Sequence, residues 1–215
     1  MIRYGVEIEV SKLSIQAATD MLRNHKAFSN NTQEILNKEV FIIDWFDDWL
    51  IKEDGSIRPY GSELVSPIFS WENRGQVFEM VDLLKRNWAK CNQSTGFHVH
   101  ISGDFPNKWE DMKPTIEKWY EKIKPAFRPA RQRRDDYCSE VLGQRKYQIV
   151  APIIRAPEDI SSYCDGVWKV TQPHIEVRLF NAHLCKRYIH RCLVASKELG
   201  EILENTKSAV CQPAQ

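Results

Sequence analysis

Three short apolar runs in this chain each carry two ionisable residues spaced two apart. They are Glu7 and Glu9 in I-R-Y-G-V-E-I-E-V, His98 and His100 in G-F-H-V-H-I-S, and Glu176 and Arg178 in H-I-E-V-R-L-F. A β-strand repeats every two residues, so each pair projects from one face while the apolar residues between project from the other. Ile2, Tyr4, Val6, Ile8 and Val10 share a face, as do Phe97, Val99 and Ile101, and Ile175, Val177 and Leu179. One such pair fits a solvated edge. Three on strands this apolar describe one sheet with a packed face and a chemical face.

The chemistry follows from the charges. Glu7 and Glu9 stand about 7 Å apart along a strand. Glu63, beside Leu64 and Val65, adds a third carboxylate and Glu176 a fourth. Like charges on a partly buried face repel, and an unpaired buried charge costs several kcal/mol, so a neutralising partner is required. Hard divalent cations take oxygen ligands, and Mg²⁺ commonly binds a few carboxylates plus substrate phosphates. A neutral imidazole completes such a shell, which gives His98 or His100 a role. Four carboxylates against Arg178 leave a charge of about −3, which two or three Mg²⁺ ions overcompensate. The excess positive charge attracts a polyphosphate such as ATP. Each signal is weak alone. An E-x-E strand is usually a solvated face, an H-x-H is as often structural or a zinc site, and an E-x-R pair is mostly a surface ion pair contributing less than ~1 kcal/mol.

The elements that must position these residues read as an interleaved α+β chain. The first strand covers residues 2–10, and a helix follows over Ile15–Asn24 with Ser14 as its cap. Phe28–Lys38 reads as a loop or short helix. Val40–Ile43 and Trp49–Lys52 read as strands, and Asp54-Gly55 as a turn rather than a catalytic element. Glu63–Val65 is a strand ended by Ser66-Pro67. Residues 74–90 show helical periodicity through Val77, Met80, Val81, Leu84 and Trp88. A strand over 97–102 precedes a helix over 109–125 with Trp109, Ile116, Trp119, Tyr120 and Ile123 on its apolar side. The basic segment Arg128–Arg134 leads into a short helix over Asp135–Leu142. Residues 144–172 are mixed, with a strand at Val167–Thr171. A strand over 174–180 and a helix from Lys186 to Asn205 close the chain. Helices are expected to cover the apolar face of one sheet.

Bulk properties narrow the class. The chain has 215 residues and a formal net charge of +1. That suits one domain, 1–207, with a disordered tail over 208–215. The balanced charge gives no argument for nucleic acid or a membrane surface. No run approaches the ~18 apolar residues of a membrane span, and a strand pattern begins at once, without a signal peptide. Six scattered cysteines form no C-x-x-C pair, which fits reduced thiols in a cytoplasmic protein.

The motifs in order resemble the amidoligase family, a compact branch of the carboxylate-amine ligases with a glutamine-synthetase-like fold. The resemblance runs through G-V-E-I-E at Gly5–Glu9, the Trp49…Asp54-Gly55-Ser56 stretch and G-S-E-L-V-S-P at Gly61–Pro67. It continues through S-T-G-F-H-V-H-I at Ser94–Ile101 and I-E-V-R-L-F at Ile175–Phe180. It implies a curved, mainly antiparallel sheet with a polar active-site face and helices on its apolar face. It also implies that Glu7, Glu9, Glu63, His98 and Glu176 bind metal and that His100 contacts ATP. Arg178 would steady transferred phosphate or substrate carboxylate. Arg131 and Arg134 match loosely as contacts for an anionic substrate. After Arg178 the chain reads L-F-N-A-H, where relatives commonly carry a small Gly-Thr pattern, so the local substrate pocket departs from them.

The implied reaction joins a carboxylate substrate to an amine substrate at the expense of ATP, through an acyl phosphate, with two or three Mg²⁺ ions or Mn²⁺. The substrates span small molecules, peptides and protein ends. Two other classes stay open on the residues alone: a metal-dependent hydrolase built on the His/Glu cluster, and a catalytically inactive binding module on the same fold.

Overall fold

A computed structural model describes residues 1–23, 41–43, 49–106, 108–127, 139–142, 152–155 and 174–210. The strands are β1 (Arg3–Ser11), β2 (Phe41–Ile43), β3 (Trp49–Glu53), β4 (Gly61–Val65), β5 (Gly96–Ser102), β6 (Ser139–Leu142), β7 (Pro152–Arg155) and β8 (His174–Asn181). The helices are α1 (Ile15–Arg23), α2 (Gly75–Arg86), α3 (Trp109–Ile123) and α4 (Lys186–Val210), with a 3₁₀ turn at Trp71–Arg74 before α2. The strands form one sheet in the order β2-β3-β4-β1-β5-β8-β7-β6. Every neighbouring pair is antiparallel except β6 and β7, which run parallel. The class is α+β.

The register lays the polar face out in rows. Lys52, Glu63 and Glu9 are successive cross-strand partners on β3, β4 and β1. The next row is Leu50, Val65, Glu7 and His98. The third is Gly5, His100 and Glu176. Cross-strand partners share a face, so the three pairs recognised in the sequence lie on one side of the sheet. That side turns apolar toward β3, where Leu50 and Val65 are buried.

Along β8 the two-residue alternation does not hold throughout. Val177 pairs with Val99 and Phe180 with Phe97, so Arg178 and Leu179 together oppose His98. This extra residue is a β-bulge. It carries Phe180 to the apolar face and sets Asn181 opposite Gly96 on the polar face.

The other face builds the core. Tyr4, Val6, Ile8 and Val10 pack with Phe97, Val99, Ile101, Ile175 and Val177 against α1–α4, and all fall in one cluster of buried side chains. Ser14 caps α1 as its sequence predicts, its Oγ accepting from the Ala17 amide at 3.2 Å. The five residues expected on the apolar side of α3 are all buried, and Trp119 Nε1 donates to the Ala195 carbonyl of α4 at 3.1 Å. No helix among the described residues is long and apolar enough to cross a membrane.

Three local expectations need correction. The helix expected over 74–90 stops at Arg86 because Trp88 adopts φ 61°. The Ala89 amide then returns to Leu84 O at 3.1 Å and the Trp88 amide to Lys85 O at 3.3 Å, closing the helix with a left-handed cap. Trp88, which fitted the helical period of the apolar residues, is 79 % exposed. The segment 139–142, expected within a short helix, is strand β6, paired with β7; its cross-strand partner lies outside its own sequence window. Helix α4, expected to end at Asn205, runs to Val210. Phe28–Lys38, Arg131, Arg134 and Val167–Thr171 lie outside the described residues.

Candidate active site

The site grows from β1, which sits between β4 and β5. Its odd-numbered residues face away from the core, so Glu7 and Glu9 are set between Glu63 on one side and the two histidines on the other. His98 is the hub. Its Nδ1 lies 2.8 Å from Glu7 Oε2, 3.4 Å from Glu176 Oε1 and 3.5 Å from an Arg178 guanidinium nitrogen. Its Nε2 lies 3.2 Å from Glu9 Oε1. His100 Nε2 approaches the other Glu7 oxygen at 3.3 Å. Arg178 donates to Glu176 Oε1 at 2.6 Å, a charge-assisted contact. Glu9 is held from a second direction by the Gly96 amide, 2.5 Å from its Oε2.

Burial makes the electrostatics consequential. It pushes the Glu7 carboxyl up, but the charge and hydrogen bond of His100, and then those of His98, outweigh it and hold Glu7 well below the usual carboxylate range. Glu63 has the opposite balance. Burial and the charge of Glu7 push it well above its usual value, and Lys52 at 3.8 Å only partly opposes them. One carboxylate of the group thus has two imidazole partners that favour its ionised form, while its neighbour has too little opposing positive charge.

Glu7, Glu63 and His98 each offer a donor atom within 4.8 Å of the others, as do Glu7, His100 and Glu176. A third such group joins Glu9, Asp54 and Glu63. Two ligands on opposite sides of Mg²⁺ stand about 4 Å apart, so each group is within a small side-chain rotation of sharing an ion. Carboxylate oxygens with a single imidazole are a donor set suited to Mg²⁺ or Mn²⁺. By geometry and donor chemistry these residues fit such ions.

Asp54 reaches this group through a loop that its sequence marked only as a turn. Asp54 Oδ1 accepts from the Ser56 amide at 2.8 Å. The loop is then fastened to the segment preceding β5. Arg58 N donates to Ser94 Oγ at 3.0 Å, and Asn92 Nδ2 donates to Arg58 O at 2.6 Å. Asn92 Oδ1 in turn accepts from the Ser94 amide and hydroxyl at 2.8 and 2.7 Å. Arg58, two residues beyond the D-G-S motif, therefore ties that loop to Asn92 and to Ser94 of the S-T-G motif. The G-S-E-L-V-S-P motif is structural at its ends. A Cβ on Gly61 would stand 2.0 Å from Val10 O, and Ser66 Oγ accepts the Val6 amide at 2.8 Å.

The structure brings together Glu7, Glu9, Glu63, His98, His100, Glu176 and Arg178. It adds Asp54, Lys52, Asn92, Ser94 and Asn181 to their surroundings. Of these, Asp54 and Ser94 carried a signal in sequence, in the D-G-S and S-T-G stretches, and Asn181 stood in the segment that departs from relatives. The others depend on cross-strand register or on loop contacts.

No curated protein matches the chain. Residues 1–158 match the family described as putative amidoligase enzyme, a span that includes β1, β4, β5 and the loops joining Asp54 to Ser94. This protein belongs to that amidoligase family.

Proposed function

We propose that the protein is an ATP-dependent carboxylate-amine ligase on a glutamine-synthetase-like sheet. The observation that carries the reading is His98, a buried imidazole in contact with Glu7, Glu9, Glu176 and Arg178 from the two strands that flank its own. A cluster this acidic, with a guanidinium at its edge, suits a metal-bound polyphosphate better than a neutral substrate. Family membership supports the amide-forming class.

In this reading Glu7, Glu9, Glu63, His98 and Glu176 hold two or three Mg²⁺ or Mn²⁺ ions. When bound, these ions neutralise phosphate oxygens and keep the γ-phosphoryl group in line for displacement. Within the protein, His98 fixes the orientation of three carboxylates, and the Gly96 amide prevents Glu9 from swinging away. Arg178, anchored by Glu176, presents its remaining donors to the transferring phosphoryl group. His100 contacts the nucleotide. An oxygen of the substrate carboxylate bonds to Pγ as the bridging P–O bond breaks, releasing ADP and leaving an acyl phosphate. The amine nitrogen then bonds to the acyl carbon, the C–O bond to phosphate breaks, and phosphate leaves as the amine gives up a proton. No side-chain nucleophile is required.

The test is calorimetric and chemical. The wild type is expected to gain thermal stability with Mg²⁺ and ATP together, and to form hydroxamate from members of a carboxylic-acid panel when hydroxylamine serves as the amine. Glu9→Gln and His98→Ala should abolish both effects while keeping the native circular-dichroism spectrum. Full ligase activity in both variants would sink the assignment. Stoichiometric tight zinc with no nucleotide response would instead support the hydrolase reading.

A further inference from the structure

The bulge in β8 changes what faces the site beyond Arg178. Strict alternation from Glu176 would turn Phe180 toward the carboxylates and Asn181 into the core. Because Arg178 and Leu179 share His98 as their opposite, Phe180 instead lies against Phe97. Its ring packs edge-on to Phe127 at 5.0 Å. Asn181, half-buried, becomes the next polar-face residue after Arg178, opposite Gly96. Bulges beside active sites characteristically re-aim a side chain in this way.

The surroundings give that side chain a task. Gly96 carries no side chain, and its amide is committed to Glu9, so no β5 side chain intervenes between Glu9 and Asn181. Successive same-face positions on β5, Gly96 and His98, are about 7 Å apart. Asn181 and Arg178, which oppose them, are therefore near enough to touch one bound group. Glu176 holds Arg178 from the opposite direction along β8. A phosphoryl group against Arg178 would thus have Asn181 on its far side. At the other end of the same row, Glu9 and Glu63 repel phosphate oxygens, whereas a carboxamide N–H₂ donates to them without adding charge.

We propose that Asn181 is a second β8 donor to the terminal phosphoryl group of the nucleotide, its Nδ2 hydrogen-bonding a γ-phosphate oxygen beside Arg178. This rests on the nucleotide reading above. A hydrogen bond to a charged oxygen corresponds to roughly tenfold or more in affinity. Isothermal titration of the full chain with Mg·AMP-PNP and with Mg·ADP isolates that contact, because only the first carries the terminal phosphoryl group. Asn181→Asp, which replaces a donor with a charged acceptor, should weaken Mg·AMP-PNP by ~10-fold or more and leave Mg·ADP within about twofold. Asn181→Ala should show the same selectivity at smaller size and serves if the aspartate variant does not fold. Asn181→Gln, which keeps the carboxamide, should recover part of the affinity. Equal weakening of both nucleotides, or no change in either, overturns the proposal while leaving the nucleotide reading intact. A wild type that binds neither nucleotide with Mg²⁺ overturns both.

Discussion

Glu63 and Glu7 are near neighbours with opposite fates, and the difference lies in which partners reach them. Two imidazoles meet Glu7, whereas among the described residues the ion pair at Glu63 is with Lys52, at 3.8 Å. Ionised Glu63 is therefore a standing cost to the metal-free protein, of the kind that functional sites retain against stability. Glu63→Gln is expected to raise the midpoint of thermal unfolding without metal by about 2–4 °C, the equivalent of ~1 kcal/mol in a chain of this size. It should also shrink the rise produced by Mg²⁺. The sign with pH follows from the raised carboxyl. In acid Glu63 is protonated in both the folded and the unfolded chain and as neutral as glutamine, so the gain should vanish there, grow as pH rises from the ordinary carboxylate range toward the raised folded value, and level off above it. Differential scanning calorimetry with and without Mg²⁺ at several pH values checks this. A variant less stable than wild type at high pH would show that Lys52 already balances the charge.

Among the elements, β4 lies so close to β1 that Gly61 has no room for a side chain. A Cβ there would meet Val10 O at 2.0 Å and Ile57 Cγ2 at 2.5 Å. Gly61→Ala must push the strands apart, and it is expected to destabilise by more than ~2 kcal/mol, read from denaturant midpoints. Because Glu9 and Glu63 face each other across the same pair, the variant should also weaken Mg²⁺ binding. Trp119→Phe, which removes the donor to Ala195 O, should cost about 1 kcal/mol with metal binding unchanged. The legibility of these elements was uneven for a physical reason. Glu7, Glu9, His98 and His100 announced their face because apolar residues alternate with them on regular strands, and α3 announced its buried side by periodicity. The reach of Asp54, the bulge at Arg178–Leu179 and the strand β6 depend on partners far away in sequence. Trp88 fitted the helical period, yet its backbone forms the cap that ends the helix. Period describes an element's faces; it does not say where a cap or an extra residue will interrupt them.

At the scale of the whole molecule, β1 lies inside the sheet with its apolar residues in the common core, and the donor groups stand on its other side. Amides of β1, β4 and β5 are expected to exchange with solvent only through global unfolding, whereas those of the Asp54–Arg58 loop should exchange by local opening. Hydrogen-exchange mass spectrometry should show Mg²⁺ and ATP slowing that loop most. Uniform slowing, or none at the loop, would separate Asp54 from the bound state. The sheet order has a further consequence for biosynthesis. β1 pairs with β4 and β5 rather than with β2, and β5 ends roughly ninety residues downstream of it. At ribosomal speeds of about 5–20 residues per second, β1 waits on the order of ten seconds for its second neighbour. During that wait Val6, Ile8 and Val10 have no finished sheet to enter. Glu7 and Glu9, alternating with them, place charge on the strand while it is still unpaired. The same carboxylates that build the finished site can therefore act as solubilising gatekeepers of the nascent chain.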